Sequence, residues 1–200
     1  MSKNKIFNVI VAGYGGQGVL TLAEIIALAA FYQGYEVKQA ELHGLAQRGG
    51  TLESHLRFGK KNLIYSPLIR QGEADLIIGL ELLETLRACR FASSKKTIIV
   101  SNLELFNPHP FEPERFDERG IISQIKRSAK KFEFIDIRRK IEKITQDTAM
   151  VNTFMLGYIV GKKLIPIQKK FILKALEEKI RPVFFEQNKK VFEMAYKEKS

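Results

Sequence analysis

The first forty residues constrain the fold more than any other part of the chain. Residues 7–13, FNVIVAG, are apolar and β-branched and run straight into a glycine-rich loop, which predicts a buried strand. The stretch that follows, GVLTLAEIIALAAFYQG, is apolar all round and predicts a buried helix that ends at Gly34. YEVKQAEL then alternates and predicts a second strand. A strand, a glycine loop, a helix and a strand indicate a βαβ opening with parallel strands.

The remaining sequence continues the alternation of strands and helices. TLESHLRFG, ADLIIGL, KKTIIVSN and FEFIDI predict strands, LIYSPLI an extended piece, and ELLETLRACRF and GIISQIKRSAKKF helices. Three helices are predicted to follow, and the second begins after Leu164 with a proline in its first turn. We therefore predict one domain over residues 1–200 of the α/β class: a Rossmann-like open sheet, mostly parallel, with helices on both faces and a helical C-terminal region over about residues 148–200.

Cysteine content and hydropathy exclude several classes of protein. Cys89 is the only cysteine, so this chain alone can hold neither a disulfide nor an iron–sulfur cluster nor a cysteine-rich zinc site. We expect Cys89 to be a buried structural thiol. No run approaches the ~20 apolar residues that cross a bilayer, and the N-terminus does not have the pattern of a secretory signal. We therefore expect a cytoplasmic protein without membrane contact.

The net charge of +11 is concentrated in one part of the chain. Residues 1–80 carry a net charge of +2 and residues 81–200 a net charge of +9, in mixed runs such as IKRSAKKFEFIDIRRKIEKI. Mixed runs of both signs are typical of solvated helix faces. A nucleic-acid groove needs stacking aromatics among its basic residues, whereas the phenylalanines here fall at core spacings. We expect no nucleic-acid partner.

The first glycine loop matches G-x-G-x-x-G at Gly13, Gly15 and Gly18, with Gly16 and Gln17 between them. After a strand and before a helix, this pattern brings backbone N–H groups to a phosphate at the helix N-terminus. Alternatively, the glycines permit close packing of helix and strand. A dinucleotide enzyme also needs an acid at the end of its second strand. Glu41 has roughly that position, but it runs directly into a further motif.

That further motif is HGLAQRGG, residues 43–50, which contains His43, Gln47 and Arg48 and closes with Gly49 and Gly50. Arg48 carries a planar set of donors that suits a carboxylate or phosphate. His43 is the one titratable side chain near neutral pH in this motif and is a weak candidate for a catalytic role. A metal site is not expected, because His43 and His55 lie twelve residues apart without a third ligand at a suitable spacing. We interpret the motif as a recognition loop.

Together, GYGGQGVL and ELHGLAQRGGTLESHLRFG resemble the gamma-type subunits of 2-oxoacid:ferredoxin oxidoreductases, most closely those of the indolepyruvate branch. The matching positions are Gly13 to Gly18, His43 to Gly50, Glu73 to Glu81, Asn152, Leu156, Gly157, Asn188, Phe192 and Tyr196. The resemblance therefore runs nearly from end to end.

The resemblance implies an accessory subunit of an enzyme that oxidatively decarboxylates a 2-oxoacid, such as indolepyruvate, and delivers the acyl group to coenzyme A. It implies that a large partner subunit holds thiamine diphosphate, Mg²⁺ and the iron–sulfur clusters, and that ferredoxin accepts the electrons. The chain itself has one cysteine and lacks the G-D-G…N stretch of thiamine enzymes. It would therefore bind none of these cofactors alone, although the two loops could share coenzyme A or face the partner.

Two other functions remain open from the residues. One is a free-standing NAD(P)-binding oxidoreductase that uses the Gly13–Gly18 loop. The other is a basic scaffold or nucleic-acid binder that uses the charge of residues 81–200. A scaffold or nucleic-acid binder would not explain either glycine motif.

Overall fold

A six-stranded sheet organises the computed structural model, which describes residues 6–43, 50–106, 117–142, 144 and 150–198, with only the backbone at position 43. The strands are β1 (Phe7–Tyr14), β2 (Glu36–His43), β3 (Thr51–Gly59), β4 (Leu76–Gly79), β5 (Ile98–Asn102) and β6 (Lys131–Ile135). Their order across the sheet is β2-β3-β1-β4-β5-β6. Strands β1, β4, β5 and β6 pair in parallel, whereas β3 pairs antiparallel with both β1 and β2. The predicted open, mostly parallel sheet is confirmed.

The position of β3 modifies the predicted βαβ opening. Strands β1 and β2 run in the same direction, but β3 lies between them and pairs with both over eight residues. A short connection from β2 favours an antiparallel hairpin, because parallel neighbours need a crossover of a dozen or more residues. β1 then pairs with the free edge of that hairpin. The opening unit is therefore a βαβ motif with an antiparallel strand inserted into it.

Seven helices cover the two faces of the sheet in the described part of the chain: α1 (Val19–Tyr32), α2 (Leu82–Ala88), α3 (Glu118–Ser128), α4 (Ile137–Ile141), α5 (Val151–Gly161), α6 (Lys169–Lys179) and α7 (Pro182–Tyr196). Helices α1 and α4–α7 pack on one face with Val9, Val11, Leu76 and Ile78. Helices α2 and α3 pack on the other face with Ile10, Ala12 and Ile77. Alternate residues of β1 and β4 thus serve two cores, which explains why these strands are continuously apolar.

Local differences from the expectations have local causes. Gly34 follows α1 with a φ of +91°, as predicted for a glycine that ends a helix. Helix α6 begins only at Lys169, so Pro166 precedes it instead of lying in its first turn. Helix α4 was not predicted: it has five residues, and the Asp136 side chain caps it by accepting a hydrogen bond from Arg139 N. Among the described helices, none is long and apolar enough to cross a membrane.

The LIYSPLI segment forms no strand, because side chains of β3 bind its backbone. His55 Nδ1 accepts a hydrogen bond from Ile69 N at 3.0 Å. Arg57 Nη1 donates to Ser66 O at 2.9 Å. These contacts fix the segment against β3.

Candidate functional site

The described ends of the two glycine motifs lie at the edge of the sheet where the parallel strands end. The backbones of His43, Leu52 and Gly13 are successive partners across β2, β3 and β1. One residue beyond the ladder, Gly15 N donates a hydrogen bond to Gly50 O at 3.0 Å. The described ends of the two motifs are thus joined by backbone contacts. Gln47, Arg48 and Gly49 lie outside the described residues.

Two glycines of the first loop are required by their neighbours. A Cβ at Gly13 would lie 2.7 Å from Gln17 Oε1 and 2.9 Å from Val19 Cγ2. Gly18 has a φ of +79°, and a Cβ there would overlap Asn152 Nδ2. Close packing of the loop against α1 and α5 therefore accounts for both positions. Gly16, in contrast, has a φ of +97° and nothing within 4 Å of the position of a Cβ.

Gln17 stabilises the loop from inside. Its Oε1 accepts a hydrogen bond from Tyr14 N at 2.8 Å, and its own N–H donates to Tyr14 O at 3.1 Å. The side chain thus closes the turn between β1 and α1. Gln17 acts first as a structural residue of the loop.

A pocket of about 400 Å³ lies between the glycine loop and the C-terminal helices. Its walls combine the N-terminus of α1, whose Gly18 N-cap has no side-chain cap, with the cationic side chains of Arg181 and Lys179, the latter already paired with Glu24 at 2.8 Å. Asn152 also lines the pocket; it is buried, and its Oδ1 accepts no hydrogen bond from any described residue. Helix N-termini and cations attract anions, and a buried acceptor without a partner is costly. The pocket therefore suits an anionic group that carries a hydrogen-bond donor.

The same loop borders a second, smaller pocket of about 230 Å³ on the side of β4 and β5. Gly16 and Gln17 line both pockets, so the tip of the loop separates them. Arg138 from α4 and Glu104 line the smaller pocket, and Phe106 forms part of its wall. Glu104 is held in place by a hydrogen bond of 3.2 Å from Asn102 Nδ2.

Buried acidic side chains lie behind the smaller pocket. Glu81 is fully buried and caps α2, accepting hydrogen bonds from Leu83 N at 3.0 Å and from Glu84 N. Burial raises the pKa of Glu81 to about 7, against the lowering effect of its backbone donors. Burial also raises the pKa of Glu84, although its ion pair with Arg87 opposes the rise. The site thus contains a carboxyl group that changes charge near neutral pH.

The structure lacks the arrangement that a dinucleotide-binding acid requires. In a dinucleotide fold, the strand carrying the ribose-binding acid lies next to the strand that leads into the glycine loop. Here β3 separates β2 from β1, and Glu41 pairs with Ser54 in the outer ladder and is exposed. Glu41 is therefore one strand too far from the loop to serve as that acid.

His55 is a structural residue. Because its Nδ1 accepts from Ile69 N, its Nε2 carries the proton and donates to Glu53 Oε1 at 2.7 Å. Glu53 is held in turn by two contacts with Arg90 Nη2, at 3.1 and 3.0 Å. No group of three potential metal-ligating side chains occurs among the described residues.

Cys89 was expected to be buried, and the structure shows it only partly buried at the end of α2, where its Sγ contacts Thr85 O at 3.3 Å. Burial raises the pKa of the Cys89 thiol to about 11, which keeps it protonated at neutral pH. This is a structural thiol.

The sequence did not mark Asn152 and Glu81 as residues of the site, although both fall in stretches that match the resemblance. Asn152 is buried beside Gly18 by the docking of α5, a contact that no local pattern shows. For Glu81 a signal exists: it is an acidic residue placed directly between a buried parallel strand and a helix. Ligand sites of open α/β sheets lie at that edge.

Fold and site together define an α/β domain with a glycine loop between two pockets and without the topology of a dinucleotide enzyme. The chain belongs to the pyruvate ferredoxin/flavodoxin oxidoreductase family, whose sequence profile matches residues 8–198. It is 32% identical over 194 residues to indolepyruvate oxidoreductase subunit IorB of Archaeoglobus fulgidus, covering 94% of this chain and 93% of that protein. It is 23% identical to pyruvate synthase subunit PorC of Methanocaldococcus jannaschii, covering 93% of each.

Solved structures show the same fold. Pyruvate oxidoreductase subunit PORC of Thermotoga maritima superposes with a TM-score of 0.70 at 18% identity, over 97% of both chains. A 2-oxoglutarate:ferredoxin oxidoreductase of Magnetococcus marinus, solved with 2-oxoglutarate, coenzyme A and succinyl-CoA, also gives a TM-score of 0.70. The match covers 96% of this chain but 30% of that longer one. In that enzyme the same fold is one part of a larger polypeptide.

Proposed function

We propose that this chain is the accessory small subunit of a cytoplasmic 2-oxoacid:ferredoxin oxidoreductase of the indolepyruvate type. The observation that carries the proposal is the similarity to IorB over 94% of the chain, with the described ends of both glycine motifs joined at one edge of the sheet. The substrate class follows from the names of these relatives, so indolepyruvate and other aryl pyruvates are the first 2-oxoacids to test.

The redox chemistry belongs on a large partner subunit. One cysteine cannot ligate an iron–sulfur cluster, which takes four protein ligands, most often cysteines. The sequence also lacks the G-D-G…N stretch that binds thiamine diphosphate through Mg²⁺. The partner would therefore hold these cofactors, and ferredoxin would take the electrons from the complex. The role of this chain is to bind and position.

Coenzyme A is the ligand that the proposal assigns to the two loops, at the boundary with the large subunit. Its phosphates suit Lys179, Arg181 and the N-terminus of α1 around the larger pocket. Its hydroxyl and amide groups supply the hydrogen-bond donor that Asn152 Oδ1 lacks among the described residues. Arg48, from the second motif, would add a charged donor. His43 is retained only as a weak candidate for a catalytic role.

The proposal is tested by reconstitution. We would express this chain with and without a cognate large subunit under anaerobic conditions and follow reduction of ferredoxin or a viologen by indolepyruvate and coenzyme A. Turnover is expected only from the mixture; pyruvate, 2-oxoglutarate and a branched-chain 2-oxoacid would be compared in the same assay. Full turnover by the large subunit alone, or reduction of a substrate by this chain with NAD(P)H, contradicts the proposal.

The same assay tests the second loop. Arg48→Ala is expected to lower kcat/KM for coenzyme A by about 10- to 100-fold, the usual loss for a charged hydrogen bond. Arg70→Ala is the matched control, because Arg70 is an exposed arginine whose partner is Glu73 on the surface. If the Arg48 variant assembles and shows the coenzyme A dependence of the control, the loop assignment is wrong while the subunit assignment stands.

A further inference from the structure

Glu81 connects three parts of the molecule at the edge of the sheet that carries the glycine loop. Its carboxyl group accepts hydrogen bonds from Leu83 N at 3.0 Å and from Glu84 N, in the first turn of α2. The same carboxyl group lies 3.5 Å from Phe106 N, in the segment that follows β5. Leu82 N and Glu104 O join these two elements by a further backbone hydrogen bond of 2.7 Å.

Phe106 carries the connection on to the glycine loop. Its ring packs against the ring of Tyr14, with centroids 5.1 Å apart. Tyr14 is the last residue of β1 and the second residue of the glycine motif, and it is buried. Phe106 also lines the smaller pocket together with Gly16 and Gln17. A displacement of Phe106 therefore changes the packing against Tyr14 and the wall of the smaller pocket beside the loop.

The choice of glutamate at this position is informative. Serine, threonine, aspartate and asparagine are the common N-cap residues of helices. These shorter side chains can bind the N–H groups of the first helical turn. Glutamate has one more methylene, and here its oxygens reach both that turn and Phe106 N. The extra length lets the carboxyl that caps α2 also come within 3.5 Å of Phe106 N.

We propose that Glu81 is a positioning residue whose ionised carboxyl group holds Phe106, and through it Tyr14, so that the shape of the glycine loop depends on the charge of Glu81. Three backbone N–H groups converge on the carboxyl, one on Oε1 and two on Oε2, and hydrogen bonds to an ionised carboxylate are roughly twice as strong as those to a neutral carboxyl. A protonated carboxyl carries an O–H that needs an acceptor of its own. Protonation therefore weakens the hold on Phe106.

The groups that face Glu81 from the surrounding elements allow this titration. Burial is the main cause that raises the pKa of Glu81 to about 7, and the negative charge of Glu84 adds to it. Below this pH the carboxyl is protonated, and above it the carboxylate forms. The charged or titratable neighbours are Glu84 and Arg87 on α2, Tyr14 on β1, Glu104 beside Phe106, and Glu53, which acts on Glu84.

The test is a pH titration of the full-length chain by NMR, using the backbone amides. The amides of Leu83, Glu84 and Phe106 are expected to shift with a common midpoint near pH 7, because burial raises the pKa of Glu81 to about 7. The decisive amides are those of Gly15 and Gly16, which are not bonded to the carboxyl. They are expected to show the same midpoint, which a merely local cap would not produce.

Three variants separate the effect of the charge of the Glu81 side chain from the effect of its length. Glu81→Gln keeps the length and removes the charge, so the common midpoint should disappear. Glu81→Asp keeps the charge and shortens the reach, so the amides of α2 should still titrate while Phe106 and the loop do not. Glu104→Gln is the matched control, a carboxyl at the same edge that is bonded to Asn102 instead, and the midpoint should persist in it.

The inference is overturned if the loop amides do not titrate with Leu83 and Phe106, or if the midpoint survives in Glu81→Gln. The titration of the wild-type chain alone decides the matter if a variant does not fold. The importance of this coupling for turnover rests on the proposed function, but the titration is measured without a partner subunit. Failure of reconstitution and failure of this coupling are therefore separate results.

Discussion

Asn152 and Gly18 show how a single side chain shapes the loop. Asn152 lies at the start of α5, and its side-chain amide packs against the backbone of Gly18, where a Cβ would overlap it. The same residue leaves a buried Oδ1 without a partner among the described residues, beside a pocket with two cations. One asparagine thus both fixes the loop and offers an acceptor to a ligand. Gly18 is required by packing, even though it occupies a phosphate-loop position.

Gly18→Ala is expected to destabilise the chain by about 2–4 kcal/mol, from strain at a positive φ and overlap with Asn152. The matched control is Gly16→Ala, which has a positive φ but open space around it and should lose only about 1–2 kcal/mol. Adding Asn152→Ala to Gly18→Ala should recover the packing part of the loss. Urea unfolding measures all these variants. Equal losses for the two glycine variants would show that Asn152 does not press on the loop.

At the scale of elements, the sequence predicted the strands and helices better than their arrangement. Alternation in TLESHLRFG and the buried run at residues 76–79 predicted β3 and β4, because burial on one or two faces leaves a direct pattern. The pairing of β3 with both β1 and β2 leaves no such pattern, since alternation says which face is buried and not which strand is adjacent. Helix α4 has five residues, too few for a helical periodicity to show in the sequence. A proline marks a helix start both within the first turn and just before it, so Pro166 did not define where α6 begins.

Some residues of the candidate site could likewise be predicted from local sequence, whereas others could not. Both glycine motifs were predicted as site residues from local pattern, and the structure joins their ends through Gly15 and Gly50. Asn152 reaches the site from α5, more than a hundred residues along the chain, and only tertiary packing brings it there. The roles proposed for His43, Gln47 and Arg48 stay predictions.

The contact between α5 and α7 gives a prediction at this scale. A Cβ at Gly157 would overlap Phe192 O and lie 3.0 Å from Ala195 Cβ, so the two helices touch at their backbones. Gly157→Ala should therefore cost about 1–3 kcal/mol by overpacking, despite the better helix propensity of alanine. Glu177→Ala, at an exposed position of α6, is the control and should stay within about 0.5 kcal/mol of wild type. Thermal unfolding that leaves Gly157→Ala as stable as the control would contradict the close approach.

At the scale of the whole molecule, topology decides what the glycine loop can bind. The loop has the spacing of a dinucleotide motif, but the neighbour of β1 on that side is an antiparallel strand that begins at the second glycine motif. The acid that should follow the second strand is displaced by one strand width, about 5 Å. The Gly13–Gly18 loop and the described ends of the second motif, at His43 and Gly50, lie at the edge where a ribose would lie. The basic charge of residues 81–200 lies partly at the pockets beside this loop, as Lys179, Arg181 and Arg138, and partly in ion pairs such as Lys131 with Glu133 and Lys140 with Glu198.

The isolated chain is therefore expected not to bind NADH or NADPH. A ligand present at about 100 times its Kd stabilises a protein by roughly 2.7 kcal/mol, so true binding would raise the Tm by several degrees. We expect no change in Tm with either nucleotide at millimolar concentration. A saturable rise in Tm would restore the reading of the Gly13–Gly18 loop as a dinucleotide site.

The insertion of β3 also bears on the order in which the chain assembles. His43 and Leu52 face each other across a short connection, whereas Tyr14 and Thr51 are separated by more than thirty residues. Closing a short loop loses less chain entropy than closing a long one, and contacts between near neighbours in sequence form faster. The hairpin that carries the second motif is therefore expected to form before β1 docks on it. During synthesis on a ribosome, β1 emerges before residues 36–59, and it would pair with β3 only after β2 and β3 have formed their hairpin.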